Sequence, residues 1–273
     1  MSDFKDRWSL TARQHLVRGR ERALAFSRLL NERQRDRRHP PYRPTPIGFL
    51  NGVVLIGSLL VILFILADPY LTLFQATMQP EVRDFLEFVT DIGKSDWMLI
   101  ATGGFLIYQI FRDISVHGIR RRAAFVRASA TATYLFVSVL AAGLIVLVLK
   151  YVIGRARPKL FDTEGLAAFH PFSFDPSWAS FPSGHATNVA ALGVALALLF
   201  PRARIVILTG AFWIAVSRLA TRSHYPTDVV AGFLLGGAVA WLTARIFAER
   251  RLVFRLDEDG RIERRHVHQK GTS

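Results

Sequence analysis

The chain contains no cysteine, which removes disulfides, thiolate metal sites and cysteine nucleophiles from consideration. It has no HExxH pair, no EF-hand loop and no carboxylate cluster at metal-binding spacing, so no metal site or other cofactor is expected. Acidic residues are scarce beside basic ones, 21 Asp and Glu against 35 Lys and Arg, for a formal net charge of +14. In a soluble protein that excess would raise nucleic acid as a partner. Here the basic residues concentrate between and beyond apolar runs, where they orient a membrane protein and meet anionic headgroups, so no nucleic-acid binding is expected. The first thirty residues also lack a short apolar core followed by a small-residue cleavage site, so the first apolar run is expected to serve as its own insertion signal.

What the chain does have is apolar sequence in blocks. Of its 273 residues 51% are apolar, and the mean hydropathy is +0.26. A hydrocarbon core about 30 Å thick needs roughly 20 mostly apolar helical residues. Six segments approach that requirement, at 47–67, 97–111, 130–149, 185–200, 203–221 and 229–248, the second and fourth being short. The expected fold is therefore all-α: a polytopic membrane protein built as a six-transmembrane-helix bundle.

Three divisions follow: a basic, proline-rich N-terminal segment over 1–46, the membrane unit over 47–248, and a C-terminal tail over 249–273. In the first, Ala12, Leu16, Gly19, Ala23, Phe26 and Leu30 recur at spacings of three and four among arginines. That pattern suits an interfacial basic helix lying on anionic inner-leaflet lipids, and a loosely ordered positive tail that only fixes topology fits as well. The mixed charge of the C-terminal tail suits a solvated segment. Orientation follows from the connections. Arginines crowd the N-terminal segment, the stretch after the second segment and the Arg202–Arg204 link, whereas the connection after the first segment carries Asp68, Glu81, Asp84, Glu87, Asp91 and Asp96. Basic connections stay cytoplasmic, so both termini are expected inside and the acidic connection outside.

A second group of polar residues is attached to the outer helix ends, where topology does not require cations. Lys150 and Arg157 stand seven apart, two helical turns, and can project from one face; a snorkelling pair anchoring the helix end is the plainer alternative. FPSGH at 181–185 opens the fourth segment. A helix start exposes backbone N–H groups and partial positive charge, which attract phosphate. Gly184 permits close approach, the Ser183 hydroxyl adds a donor, and His185 stands ready to protonate a departing oxygen; alternatively Ser183 is only a cap and His185 only interfacial. Further on, Arg218 offers a guanidinium fork matched to phosphate oxygens. His224 and Asp228, four apart, allow the carboxylate to orient the imidazole and leave its other nitrogen as a nucleophile; a structural pair bridging two spans is the alternative.

Together, Lys150 with Arg157-Pro158, Pro182-Ser183-Gly184-His185, and Ser217-Arg218 with His224 and Asp228 resemble the three-part signature of the phosphatidic acid phosphatase type 2 superfamily. Every signature position is occupied, and with the six-segment pattern the resemblance extends from about 47 to 248. It implies a lipid phosphatase. In that reading His224 attacks phosphorus and becomes a phosphohistidine, Asp228 orients it, and His185 protonates the leaving oxygen. Lys150, Arg157, Ser183, the Gly184 backbone and Arg218 hold the nonbridging oxygens. Fixed cations and N–H donors of this kind can neutralise the charge of phosphoryl transfer without a metal.

The substrates implied are membrane lipid phosphates: undecaprenyl diphosphate, phosphatidylglycerol phosphate, phosphatidic acid or lipid A. The location implied is a bacterial-type inner membrane, with the site on its periplasmic side. Five phenylalanines and a tryptophan between Pro158 and Pro182 are expected to cover the site against lipid or to act as an interfacial anchor. A phosphotransferase with a lipid acceptor, a vanadate haloperoxidase, an intramembrane serine protease using Ser183 with His224, and a non-enzymatic channel or scaffold are the competing readings. The protease lacks a Gly-x-Ser-Gly pattern and leaves Asp228 and the cations without a role. The sequence does not fix the oligomeric state.

Overall fold

The computed structural model describes residues 44–111 and 118–265, with single positions before them. The basic N-terminal segment, with its expected interfacial helix, otherwise lies outside the described residues.

Helix α1 spans Pro46–Leu66. Thr45 caps it, accepting a hydrogen bond from the Gly48 N–H, and proline occupies its first position, where its missing N–H does no harm. None of its residues is buried, as suits a helix whose sides face lipid. A 3-10 turn at Asp68–Tyr70 leads to α2 (Leu71–Thr77) and α3 (Pro80–Asp91). Five more helices follow in order: α4 (Ser95–Phe111), α5 (Ile119–Ile153), the single turn α6 (Phe161–Glu164), α7 (Gly184–Leu199) and α8 (Arg204–Val216). The last helix, α9, covers Pro226–Glu249.

Each of the six apolar segments is helical, but they are not equal. The 25 residues Pro46–Tyr70, the 34 of Arg120–Ile153 and the 24 of Pro226–Glu249 are long and apolar enough to cross a membrane. By contrast α4, α7 and α8 have 17, 16 and 13 residues, short of the roughly 20 a full span needs. Helix α5 also begins well before the expected residue 130. Its basic first turns are helical too, and at about 1.5 Å per residue the helix overruns the hydrocarbon core.

Helix α7 lies at the centre, against α9, α8 and α5. Most of its length is buried, and alanines dominate that buried set. Opposite it, a Cβ on Gly232 would fall 2.4 Å from the Ser183 carbonyl oxygen, and one on Gly236 would fall 2.0 Å from that of Thr187. Only glycine lets the two backbones approach so closely. The N-terminus of α7 is thereby locked beside the N-terminus of α9.

The end of the chain departs from expectation. Residues 249–265 are not a solvated tail: β1 (Phe254–Leu256) pairs antiparallel with β2 (Ile262–Arg264). Val253, Phe254 and Leu256 are buried in the same core as Tyr134 and Phe247. The Phe254 and Tyr134 rings meet edge to face with centroids 5.0 Å apart. Arg264 Nη1 donates to the Leu199 carbonyl at 2.9 Å, satisfying one of the last acceptors of α7. Alternation of Phe254 and Leu256 with charged neighbours is a strand pattern that the high charge of the segment hides.

Candidate active site

Four helix ends meet opposite the hairpin: the C-terminal ends of α1 and α5 and the N-terminal ends of α7 and α9. Lys150 occupies the last turn of α5. Gly154 then closes the helix in the left-handed region (φ +61), its N–H bonded to the Lys150 carbonyl at 2.9 Å. A Cβ there would fall 2.0 Å from the His170 carbonyl oxygen, so no other residue fits. The chain reverses, and Arg155 bridges Phe169 in antiparallel fashion. The Arg157 N–H donates to the Ser177 carbonyl at 2.9 Å and the Ser180 N–H to the Arg155 carbonyl at 3.0 Å. This pairing carries Ser180 inward, while Phe169, Phe172 and Phe174 of the same loop remain exposed.

After a cis Phe181–Pro182 peptide, Ser183 caps α7, its Oγ accepting from the Ala186 N–H. The Ser183 N–H is itself used, donating to the Asp228 carbonyl at 2.9 Å. The free first-turn N–H groups are therefore those of Gly184 and His185, for which no acceptor is found among the described residues. Lys150 Nζ lies 3.6 Å from where a Cβ on Gly184 would sit, which sets an ammonium beside the helix entrance. The His185 ring packs under the turn between α3 and α4, with Cδ2 3.4 Å from the Cβ position of Gly93. Its Nε2 is buried without a hydrogen-bond partner among the described residues.

His224 is 1% exposed. Its Nδ1 stands 2.8 Å from the Ser180 carbonyl oxygen. A carbonyl only accepts, so Nδ1 carries the proton and Nε2 presents its lone pair. Asp228 Oδ2 is 3.7 Å from Nδ1, too far for a hydrogen bond, so the ring's direct partner is Ser180 and not the carboxylate that the spacing suggested. Asp228 is held instead by Arg155 Nη1 at 2.7 Å, the Ser180 hydroxyl at 2.6 Å and the Tyr225 N–H at 2.8 Å. It sits in the first turn of α9 behind Pro226, where a carboxylate is favoured by the helix dipole.

The cations converge on these imidazoles. The charges of Lys150 and Arg157 act on His224, and those of Arg218 and Lys150 act on His185. Arg157 Nε is held by the Pro176 carbonyl at 2.9 Å. Burial lowers its affinity for a proton, with the Asp228 charge acting the other way. Burial likewise pushes the His224 imidazole down to about 3, against a smaller opposing effect of Asp228. At neutral pH the ring is therefore uncharged, the form a nucleophile needs.

Three residues of this site were not singled out in the sequence: Ser180, Arg155 and Asp68. Arg155 Nη2 donates to Asp68 Oδ2 at 2.8 Å, and all three are buried. Arg155 stands two before Arg157, and Asp68 directly follows the first apolar segment in an Ala-Asp-Pro turn. Those placements were the only local hints.

Residues 131–252 match the model of the PAP2 superfamily. The chain is 38% identical over 184 residues to a lipid A 1-phosphatase of Rhizobium etli, covering 66% of this chain and 77% of that protein. It is 40% identical over 180 residues to another lipid A 1-phosphatase, from Rhizobium johnstonii, covering 66% and 73%. Among solved structures, Aquifex aeolicus LpxE superposes with a TM-score of 0.47 at 20% identity, over 65% of this chain and 94% of that one. The chain belongs to the PAP2 superfamily. It is a membrane lipid phosphatase, and the protease and scaffold readings fall with that assignment.

Proposed function

We propose that the chain is a metal-independent phosphatase that removes the 1-phosphate of lipid A through a phosphohistidine at His224. In this reading it is a six-span protein with both termini cytoplasmic and the site at the outer face of a bacterial inner membrane. The observation that carries the mechanism is the fixed tautomer of His224: with Nδ1 spent on Ser180, the Nε2 lone pair is free to attack. Nε2 bonds to phosphorus while the bond from phosphorus to the lipid oxygen breaks, and His185 gives that oxygen its proton. Lys150, Arg157, Arg218, the Ser183 hydroxyl and the Gly184 N–H hold the three nonbridging oxygens, where negative charge spreads. Water then attacks the phosphohistidine, its proton passing to His185; the N–P bond breaks and phosphate leaves.

The choice of lipid rests on the two Rhizobium relatives, whose names specify the 1-phosphate of lipid A and whose similarity extends beyond the signature. The outward orientation rests on the acidic connection at the same end as the site. The test is phosphate release by the detergent-purified chain from lipid A, from lipid A carrying only its 4′-phosphate, and from undecaprenyl diphosphate, phosphatidylglycerol phosphate and phosphatidic acid. Lipid A with its 1-phosphate should turn over fastest, chelator should leave the rate unchanged, and His224→Ala should be inactive. Faster turnover of undecaprenyl diphosphate would reject the substrate assignment, and an active His224→Ala would reject the mechanism.

A further inference from the structure

Asp68 and Arg155 are among the most deeply buried charged side chains described, 0% and 2% exposed. Arg155 spans two carboxylates, donating through Nη1 to Asp228 at 2.7 Å and through Nη2 to Asp68 at 2.8 Å. Its guanidinium carbon lies 4.2 Å from the centre of the Tyr225 ring and 5.1 Å from that of Phe64. Asp68 also accepts from the Thr227 N–H at 3.0 Å and from the Thr227 hydroxyl. Its 3-10 turn follows α1 directly, so the charged chain runs from the first helix to the first turn of α9.

Stability alone does not explain such a cluster, because buried ion pairs are often no better than well-packed apolar residues. The charge count points to another role. Arg155 with Asp228 alone is a neutral pair and offers little to an imidazole that becomes positive when it bonds phosphorus. With Asp68 the chain of three carries one net negative charge, a few ångströms from His224 in a region of low dielectric.

We infer that Asp68 is a positioning residue for phosphoryl transfer, acting through Arg155 and Asp228: it keeps the three-residue chain beside His224 at one net negative charge, while the Ser180 hydroxyl and the Tyr225 N–H suffice to hold the Asp228 carboxylate in place. The inference rests on His224 being the nucleophile.

The test measures kcat and KM for phosphate release from lipid A by the full chain in detergent, with melting temperatures, for Asp68→Asn, Arg155→Met, the two combined, and Asp68→Glu. Asp68→Asn brings the net charge to zero and should lower kcat about 10- to 100-fold with KM within about threefold, the signature of an interaction felt in the transition state. The combined variant returns the net charge to minus one and should turn over faster than Asp68→Asn alone. A purely structural brace makes the opposite demand, with the combined variant the most impaired and KM and melting temperature moving together. Asp68→Asn within about twofold of wild type, or a folded combined variant slower than Asp68→Asn, overturns the inference. If the combined variant does not fold, Asp68→Glu decides: turnover well above Asp68→Asn supports the charge role, and turnover no better than Asp68→Asn overturns it. His224→Ala separates the levels. Should it release phosphate at the wild-type rate, the underlying mechanism fails; should it be inactive while Asp68→Asn is normal, only the positioning role fails.

Discussion

The contact between α7 and α9 sets the geometry of the site, and Gly236→Ala tests it. A methyl at position 236 would fall 2.0 Å from the Thr187 carbonyl oxygen, 2.8 Å from the Thr187 carbonyl carbon and 3.0 Å from the Ala191 nitrogen, whereas ordinary contact begins near 3.4 Å. Thr187 is backbone in a central helix and cannot swing aside, so the helices must part by roughly 1 Å, an overpacking cost of about 1–3 kcal/mol. Gly-to-Ala changes in a helix otherwise stabilise by about 1 kcal/mol. Ser183 and His185 begin α7, while His224 and Asp228 flank the start of α9, so in the proposed mechanism parting the helices separates the groups that hold phosphate from the attacking imidazole. A misplacement of about 1 Å lowers turnover about 100-fold. The neighbouring Gly237→Ala is the control, because its methyl would meet only Val194 Cγ2 at 3.4 Å. Phosphate release and thermal unfolding in detergent should show Gly236→Ala slow and less stable, with Gly237→Ala close to wild type. Equal behaviour of the two variants, both near wild type, would refute the close-packing argument.

In the proposed mechanism Ser183→Ala removes one phosphate donor along with the cap of α7; phosphate release should fall about 100- to 1000-fold, not vanish, and complete loss would mean the hydroxyl does more than bind. His224 is held down to about 3 from an ordinary 6.5, so below pH 6.5 the unfolded chain takes up a proton that the folded chain refuses. Stability should therefore fall as pH drops from 6.5 toward 3, and more for wild type than for His224→Asn; parallel melting-temperature curves at pH 7.5 and 4.5 would contradict this. Phe254→Ala should destabilise the bundle by about 3–5 kcal/mol, since the ring is fully buried against Tyr134. An unchanged melting temperature would return the C-terminal segment to the status of a solvated tail.

The six apolar helices, and the polar residues that gather at their ends, were legible in the sequence because each is marked locally. Apolar blocks announce the helices, and Lys150, Ser183, His185 and His224 stand at block edges where polar residues are conspicuous. Contacts set by close approach across the fold were not legible. Ser180 orients His224 through a backbone carbonyl, which carries no residue signature, and Asp68 reaches Arg155 across 87 positions of sequence. Asp68 also looked like one more member of the acidic outer connection, where exposure is the ordinary expectation. The C-terminal strands are only three residues each, too short for their alternation to stand out against neighbouring charges.

Trapping the covalent intermediate tests the central claim most directly. Wild-type chain mixed briefly with lipid A labelled in its 1-phosphate and then quenched in alkali, which preserves a phosphoimidazole, should yield label on the peptide containing His224, and His224→Ala should yield none. Label on Ser183, or full turnover with no label on any histidine, would contradict the account.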